Sequence, residues 1–134
     1  MRPYVAGFGP EETFAVLADA ARTQGAMGIV LCTWEAAGEP SPHTMPDTDQ
    51  AFVGLSGACA LGDGLAIGPG QVAVVPRGSP VAVRVTDGPC RVLVILTPAG
   101  PEAYLSAASA LPLLSSATLI ALAADHGVVL HPRP

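Results

Sequence analysis

The sequence contains no lysine; its six cationic residues are all arginines, set against eleven acids for a net charge of −5 at neutral pH. A nucleic-acid binder presents a basic face to phosphates, and these residues supply none, so no nucleic-acid partner is expected. Charge is scarce altogether, at 13% of residues, where about a quarter is usual. Disulfide pairing is equally unprovided for. Cys32, Cys59 and Cys90 are odd in number and far apart, and no Cys-x-x-Cys occurs. That pattern fits buried thiols acting as small hydrophobes in a reducing cytoplasm. The opening Met1-Arg2-Pro3-Tyr4 has no apolar signal region, which agrees with a cytoplasmic location. An uninterrupted membrane span is also missing. Leu105 to Ala124 runs without a charge for a length that could cross a bilayer, but Pro112 breaks it and five Ser and Thr residues dilute it. It reads as two short packed helices, and no membrane partner is expected.

What the chain has in quantity is apolar surface, glycine and proline. Half of its residues are hydrophobic, enough to line a deep apolar pocket or to cover a subunit interface, and both readings stand. The 134 residues fit one domain, with a barrel over about 12–98 and a helical segment over about 101–127. Fifteen glycines and fourteen prolines punctuate short apolar runs, the spacing of an all-β sandwich or barrel. Strands are expected at Phe14–Ala18, Gly28–Glu35, Gln50–Leu55, Ala58–Leu61, Gly64–Ile67, Val72–Val75, Val81–Thr86 and Arg91–Thr97. Gly57, Asp63-Gly64, Gly68-Pro69-Gly70, Arg77-Gly78 and Asp87-Gly88-Pro89 supply turns between them. Pro101-Glu102 opens a helix, Ser115 or Ser116 caps a second, and Gly127 ends it.

Residues 38–57 read GEPSPHTMPDTDQAFVGLSG, and 70–85 run from Gly70 through Pro76 and Gly78 to Val81 and Val85. Together they resemble the two conserved motifs of the cupins. His43 falls on the first histidine of the first motif, Met45 on the second, Gln50 on the glutamate and Gly57 on the closing glycine. In the second motif Gly70, Pro76 and Gly78 match, while Val81 stands at the histidine and Val85 at the asparagine. The ending RVLVILTPAGPEAYL, followed by LAADHGVVL, looks like the tail of small bacterial cupins similar to quercetin dioxygenase. The resemblance covers about residues 12–130. It implies a double-stranded β-helix, or jelly-roll barrel, closed by two short C-terminal helices.

The same resemblance implies a metal held by three His and one Glu, and here the chemistry departs from it. Of those four groups only His43 remains. Gln50 keeps a carbonyl oxygen without the charge, Met45 offers a soft thioether, and Val81 offers nothing. No bound metal or other cofactor is expected. Strand alternation then puts Gln50 and Phe52 on one inward face and Val81 and Val83 on another, converting the metal centre into an apolar pocket with a few polar groups.

His43 is the candidate general acid or base, and Gln50 the candidate orienter of a carbonyl or hydroxyl. Met45, Trp34, Cys32, Phe52, Val81 and Val83 are the candidate substrate contacts. Glu35 falls on the strand face opposite Trp34. Arg84 either faces solvent or pairs across an interface. Tyr4 is a candidate cover for the pocket mouth, and His126 and His131 are expected to be exposed. The function these residues point to is a metal-independent, non-redox step on an apolar organic molecule: cyclisation, isomerisation or dehydration. The Ala-, Gly- and Pro-rich composition points to a high-GC bacterial source, where small cupins accompany natural-product pathways. Two alternatives are a metal-dependent oxygenase or cyclase, and a non-catalytic binding or scaffold module. Cupins commonly pair by strand exchange, so a homodimer is expected.

Overall fold

The computed structural model describes residues 2–110 and 115–131. In chain order these form β1 (Phe14–Ala18), α1 (Ala20–Thr23), β2 (Gly28–Trp34), β3 (His43–Thr44), β4 (Asp49–Gly62), β5 (Leu65–Ile67), β6 (Val72–Val75), β7 (Pro80–Val81), β8 (Arg84–Thr97), α2 (Glu102–Ala110), α3 (Ser116–Asp125) and β9 (Val129–Leu130). A six-stranded antiparallel sheet runs β1-β2-β8-β4-β5, with β6 also pairing to β4. A second sheet of three short strands runs β7-β3-β9. The barrel interior between them holds Val30, Cys32, Trp34, Met45, Phe52, Val92, Val94 and Leu96.

β4 and β8 carry the architecture. Each is fourteen residues long, and they pair from Asp49↔Thr97 to Ala60↔Arg84. The sequence places two strands where β4 is one, because glycine at 57 reads as a turn. It is a kink. Three register shifts lie between Gly54 and Cys59, and Gly57 takes φ +69°. A Cβ on Gly57 would collide with the backbone oxygens of Pro89 and Asp87, so only glycine lets the strands pass this closely. Such bulges bend a strand without ending it. One half of β4 therefore pairs with β6 and the other with β5.

Other boundaries move as well. β8 begins at Arg84, seven residues before the expected strand, and the expected Val81–Thr86 strand is broken after Val81. β2 stops at Trp34, which leaves Glu35 exposed. α1, β3 and β9 were not expected. β3 and β9 are two-residue strands; β3 pairs with β7 on one side and with β9 on the other, through His43 and Thr44. The C-terminal helices form as expected: Ser115 caps α3 by accepting from Thr118 N, and Gly127 follows its end with φ +77°. No helix among the described residues is long and apolar enough to cross a membrane. The interruption expected at Pro112 lies outside the described residues.

Buried Glu102 fixes how α2 joins the barrel. Its Oε1 accepts from Gly100 N at 2.6 Å and its Oε2 from Ala20 N at 3.1 Å. It is 3% exposed, so one buried carboxylate ties the start of α2 to the start of α1. Gly28 makes the room: a Cβ there would sit 2.5 Å from Glu102 Oε1.

Candidate functional site

His43 and Gln50 meet inside the barrel. β3 brings His43 in from one sheet; β4 brings Gln50 in from the other, between Val75 of β6 and Leu96 of β8. His43 Nε2 lies 3.1 Å from Gln50 Oε1, and His43 Nδ1 lies 3.2 Å from the Ser41 carbonyl oxygen. A carbonyl oxygen only accepts, so the Ser41 contact requires the proton on Nδ1. A neutral ring then has a bare lone pair at Nε2, and the Gln50 amide satisfies it by turning its NH2 end inward. With a second proton on the ring, the amide turns its oxygen inward instead. An amide partner thus serves either protonation state of the imidazole, which a carboxylate does not.

The pair forms one wall of a cavity of about 40 Å³. Cys32, Trp34, Pro40, Ser41, Met45, Phe52, Val94, Tyr104, Leu105 and Val128 line the rest of it. Trp34 and Phe52 pack tilted, with ring centroids 6.3 Å apart. The space suffices for a water molecule, far below the roughly 300 Å³ or more of a ligand pocket. A larger guest requires the side chains that line the cavity to move apart. Burial pushes the Cys32 thiol up to about 12, which leaves it protonated at neutral pH and unsuited to act as a nucleophile.

Six of the eight residues singled out in the sequence line this cavity: His43, Gln50, Met45, Trp34, Cys32 and Phe52. Val81 and Val83 do not line it. Both are buried, Val81 as the cross-strand partner of His43, and their side chains fill the core. Tyr4 lies elsewhere too, in a recess of about 760 Å³ outside the barrel, lined by Val5, Phe8, Leu17, Met27, Ile29 and Leu93. The two cavities share no residue. His131 is exposed as expected, yet its Nε2 lies 2.7 Å from Thr44 Oγ1, which ties the chain end beside His43. Tyr104 and Val128 line the cavity and were missed in the sequence. Both fall in the two tail stretches that resemble cupin tails, but nothing local there points to a cavity.

The residues present do not fit the metal that the cupin resemblance implies. The His43 lone pair is already directed at a neutral amide, Met45 and Val81 replace the remaining ligands, and among the described residues no three His, Cys, Asp or Glu side chains converge. Cys59 and Cys90 sit together elsewhere in the core, with burial raising both thiols.

Strand order, the bent central pair and the enclosed His43 position together set the architecture for comparison. It matches a cupin-2 domain protein from Shewanella frigidimarina at TM-score 0.50 and 22% identity, over 66% of this chain and 82% of that one. The fold is that of the cupins. The cupin barrel here also matches KdgF from Halomonas sp. at TM-score 0.58 and 16% identity, over 67% of this chain and 81% of that one. The polyketide cyclase RemF from Streptomyces resistomycificus matches at 0.53 and 23%, over 63% of each chain. No protein-family model and no curated protein matches the sequence. At these identities the likeness carries the cupin fold alone.

Proposed function

We propose that this cupin binds a small, largely apolar organic molecule in its barrel and catalyses a metal-independent, non-redox step on it, in bacterial natural-product biosynthesis. The observation that carries the reading is the His43–Gln50 pair, buried at 3.1 Å in an otherwise apolar cavity. A ligand that displaces the amide meets the Nε2 lone pair, positioned to take a proton from carbon or oxygen. Gln50 then turns to the ligand and donates to, or accepts from, its oxygen. Cyclisation, isomerisation and dehydration all run on such transfers. RemF, a polyketide cyclase on the same fold, is consistent with this class of chemistry, although fold alone does not assign it.

The test is α-proton exchange of cyclohexanone in D2O, followed by NMR in the presence of EDTA. His43 Nε2 removes the proton, the C–H electron pair moves onto the carbonyl oxygen, and a deuteron returns to carbon. Wild type is expected to accelerate exchange, and His43→Ala to lose about 100-fold or more of that acceleration. Equal rates in wild type, His43→Ala and Gln50→Ala overturn the assigned roles. Loss of exchange on chelation would instead favour a metal-dependent oxygenase or cyclase.

A homodimer is the partner this reading takes, supported by the outer face of the large sheet. Ile29, Ile95, Ala51 and Val74 form one cross-strand row, and Leu31, Leu93, Val53 and Val72 another. Val72 and Val74 are 56% and 66% exposed. The N-terminal arm lies over the other end of this face, held by Tyr4 Oη donating to Leu17 O and by Arg91 donating to Gly9 O and Glu12 O. A scaffold role would rest on this face alone.

A further inference from the structure

The Gln50 amide serves a bare or a protonated His43 Nε2 alike, so it does not decide which nitrogen carries the proton of the neutral ring. The Ser41 carbonyl does. It lies 3.2 Å from Nδ1 and only accepts, which puts the proton there and leaves the lone pair on Nε2, the atom facing Gln50 at 3.1 Å. Which nitrogen can act as a base therefore depends on where the Ser41 carbonyl is held. Residues 39–42 form no strand or helix, and contacts from remote parts of the chain hold them at both ends. At the first end Glu39 Oε2 accepts from Val85 N of β8 at 2.6 Å, across 46 positions of sequence. A carboxylate acceptor makes this one of the stronger kinds of hydrogen bond. At the other end Pro42 O accepts from His131 N at 2.8 Å, and His43 and Thr44 pair with β9. Ser41 lies between these two anchors.

We propose that Glu39 is a positioning residue that sets the tautomer of His43. By tying the 39–42 segment to β8 it keeps the Ser41 carbonyl on Nδ1, and so leaves Nε2 as the nitrogen that can take a proton. Glu39 does not line the cavity, so it acts through the main chain it holds. A glutamine at this position keeps an oxygen for Val85 N, and an alanine does not. The proposal rests on the reading of His43 as the base, but the tautomer is read on the ring itself, without a substrate.

The experiment follows the His43 ring nitrogens of the full chain by long-range 1H–15N NMR in alkaline buffer, where an imidazole is neutral, with His43→Ala assigning the signals. Wild type is expected to favour the Nδ1–H form by about tenfold or more. Glu39→Ala is expected to lower that ratio about three- to tenfold, the worth of one hydrogen bond, and Glu39→Gln to keep it. A wild type that carries the proton on Nε2 overturns the proposal, and does so even where Glu39→Ala fails to fold. An unchanged ratio in Glu39→Ala also overturns it and leaves the reading of His43 as the base standing. A ratio lowered equally by Glu39→Gln overturns the acceptor role. The expected ratios in a protein that does not accelerate cyclohexanone exchange support Glu39 as the residue that sets the tautomer and overturn the catalytic reading.

Discussion

An amide beside an imidazole behaves differently from a carboxylate. A glutamate at position 50 would hold a cation, either a metal or a protonated ring, whereas Gln50 is neutral and can turn either its oxygen or its NH2 to the ring. The sequence displays both residues, and their seven-residue spacing within a recognisable motif is enough to pair them. It gives less notice of Tyr104 and Glu102, although both fall in the 91–105 stretch and Glu102 in the expected helix start. Both sit in a weakly patterned helix, and their roles depend on where that helix lands. Glu102 is an acidic residue in the core whose two oxygens accept from two backbone N–H groups. Glu102→Ala is expected to strand both donors and cost roughly 2–4 kcal/mol, measured by chemical denaturation. A loss below about 0.5 kcal/mol would mean the clamp is not formed.

At the scale of elements, turn chemistry located most strands but not how they continue. Gly57 and the bulges around it decide between one bent strand and two, and the decision rests on contact with the Pro89 turn, which is remote in sequence. The short strands β3 and β9 are set by each other and leave no local pattern. Val81 and Val83 illustrate the limit of alternation: both face inward, yet the inward side at that end is packed core, away from the cavity. The corner at Pro76-Arg77-Gly78 is tied to the start of β4 by Asp49, which accepts from Arg77 N at 2.8 Å and pairs with its guanidinium at 3.0 Å. These contacts hold the Asp49 carboxyl below the usual carboxylate range. A depressed folded-state value stabilises the fold above the ordinary carboxylate range, and that contribution is lost as pH falls through the folded value. The stability gap between wild type and Asp49→Asn is therefore expected at neutral pH and should close in acid, as followed by urea titrations. A gap that is constant with pH would contradict it.

At the scale of the molecule, apolar composition allowed a pocket or an interface, and the structure gives most of the excess to the packed core and to the outer sheet face. The His43 cavity, at about 40 Å³, takes little of it. Where these rows reach β6, Val72 and Val74 leave apolar side chains in water, a surface that a second copy can cover. Wild type is expected to be a dimer at micromolar concentration by light scattering, and Val74→Arg, at an exposed site, to shift it to monomer. A monomeric wild type would contradict the homodimer. The low charge and missing lysines seen in the sequence are compatible with such a face without locating it.

The central claim is that a hydrogen-bonded His43–Gln50 pair stands where a metal centre would be on this fold. Elemental analysis of the purified protein after incubation with iron, manganese, nickel and zinc, followed by desalting, tests it most directly. The account predicts under about a tenth of an equivalent of each metal, the expectation for a site with a single imidazole ligand. A full equivalent that disappears in His43→Ala would contradict it.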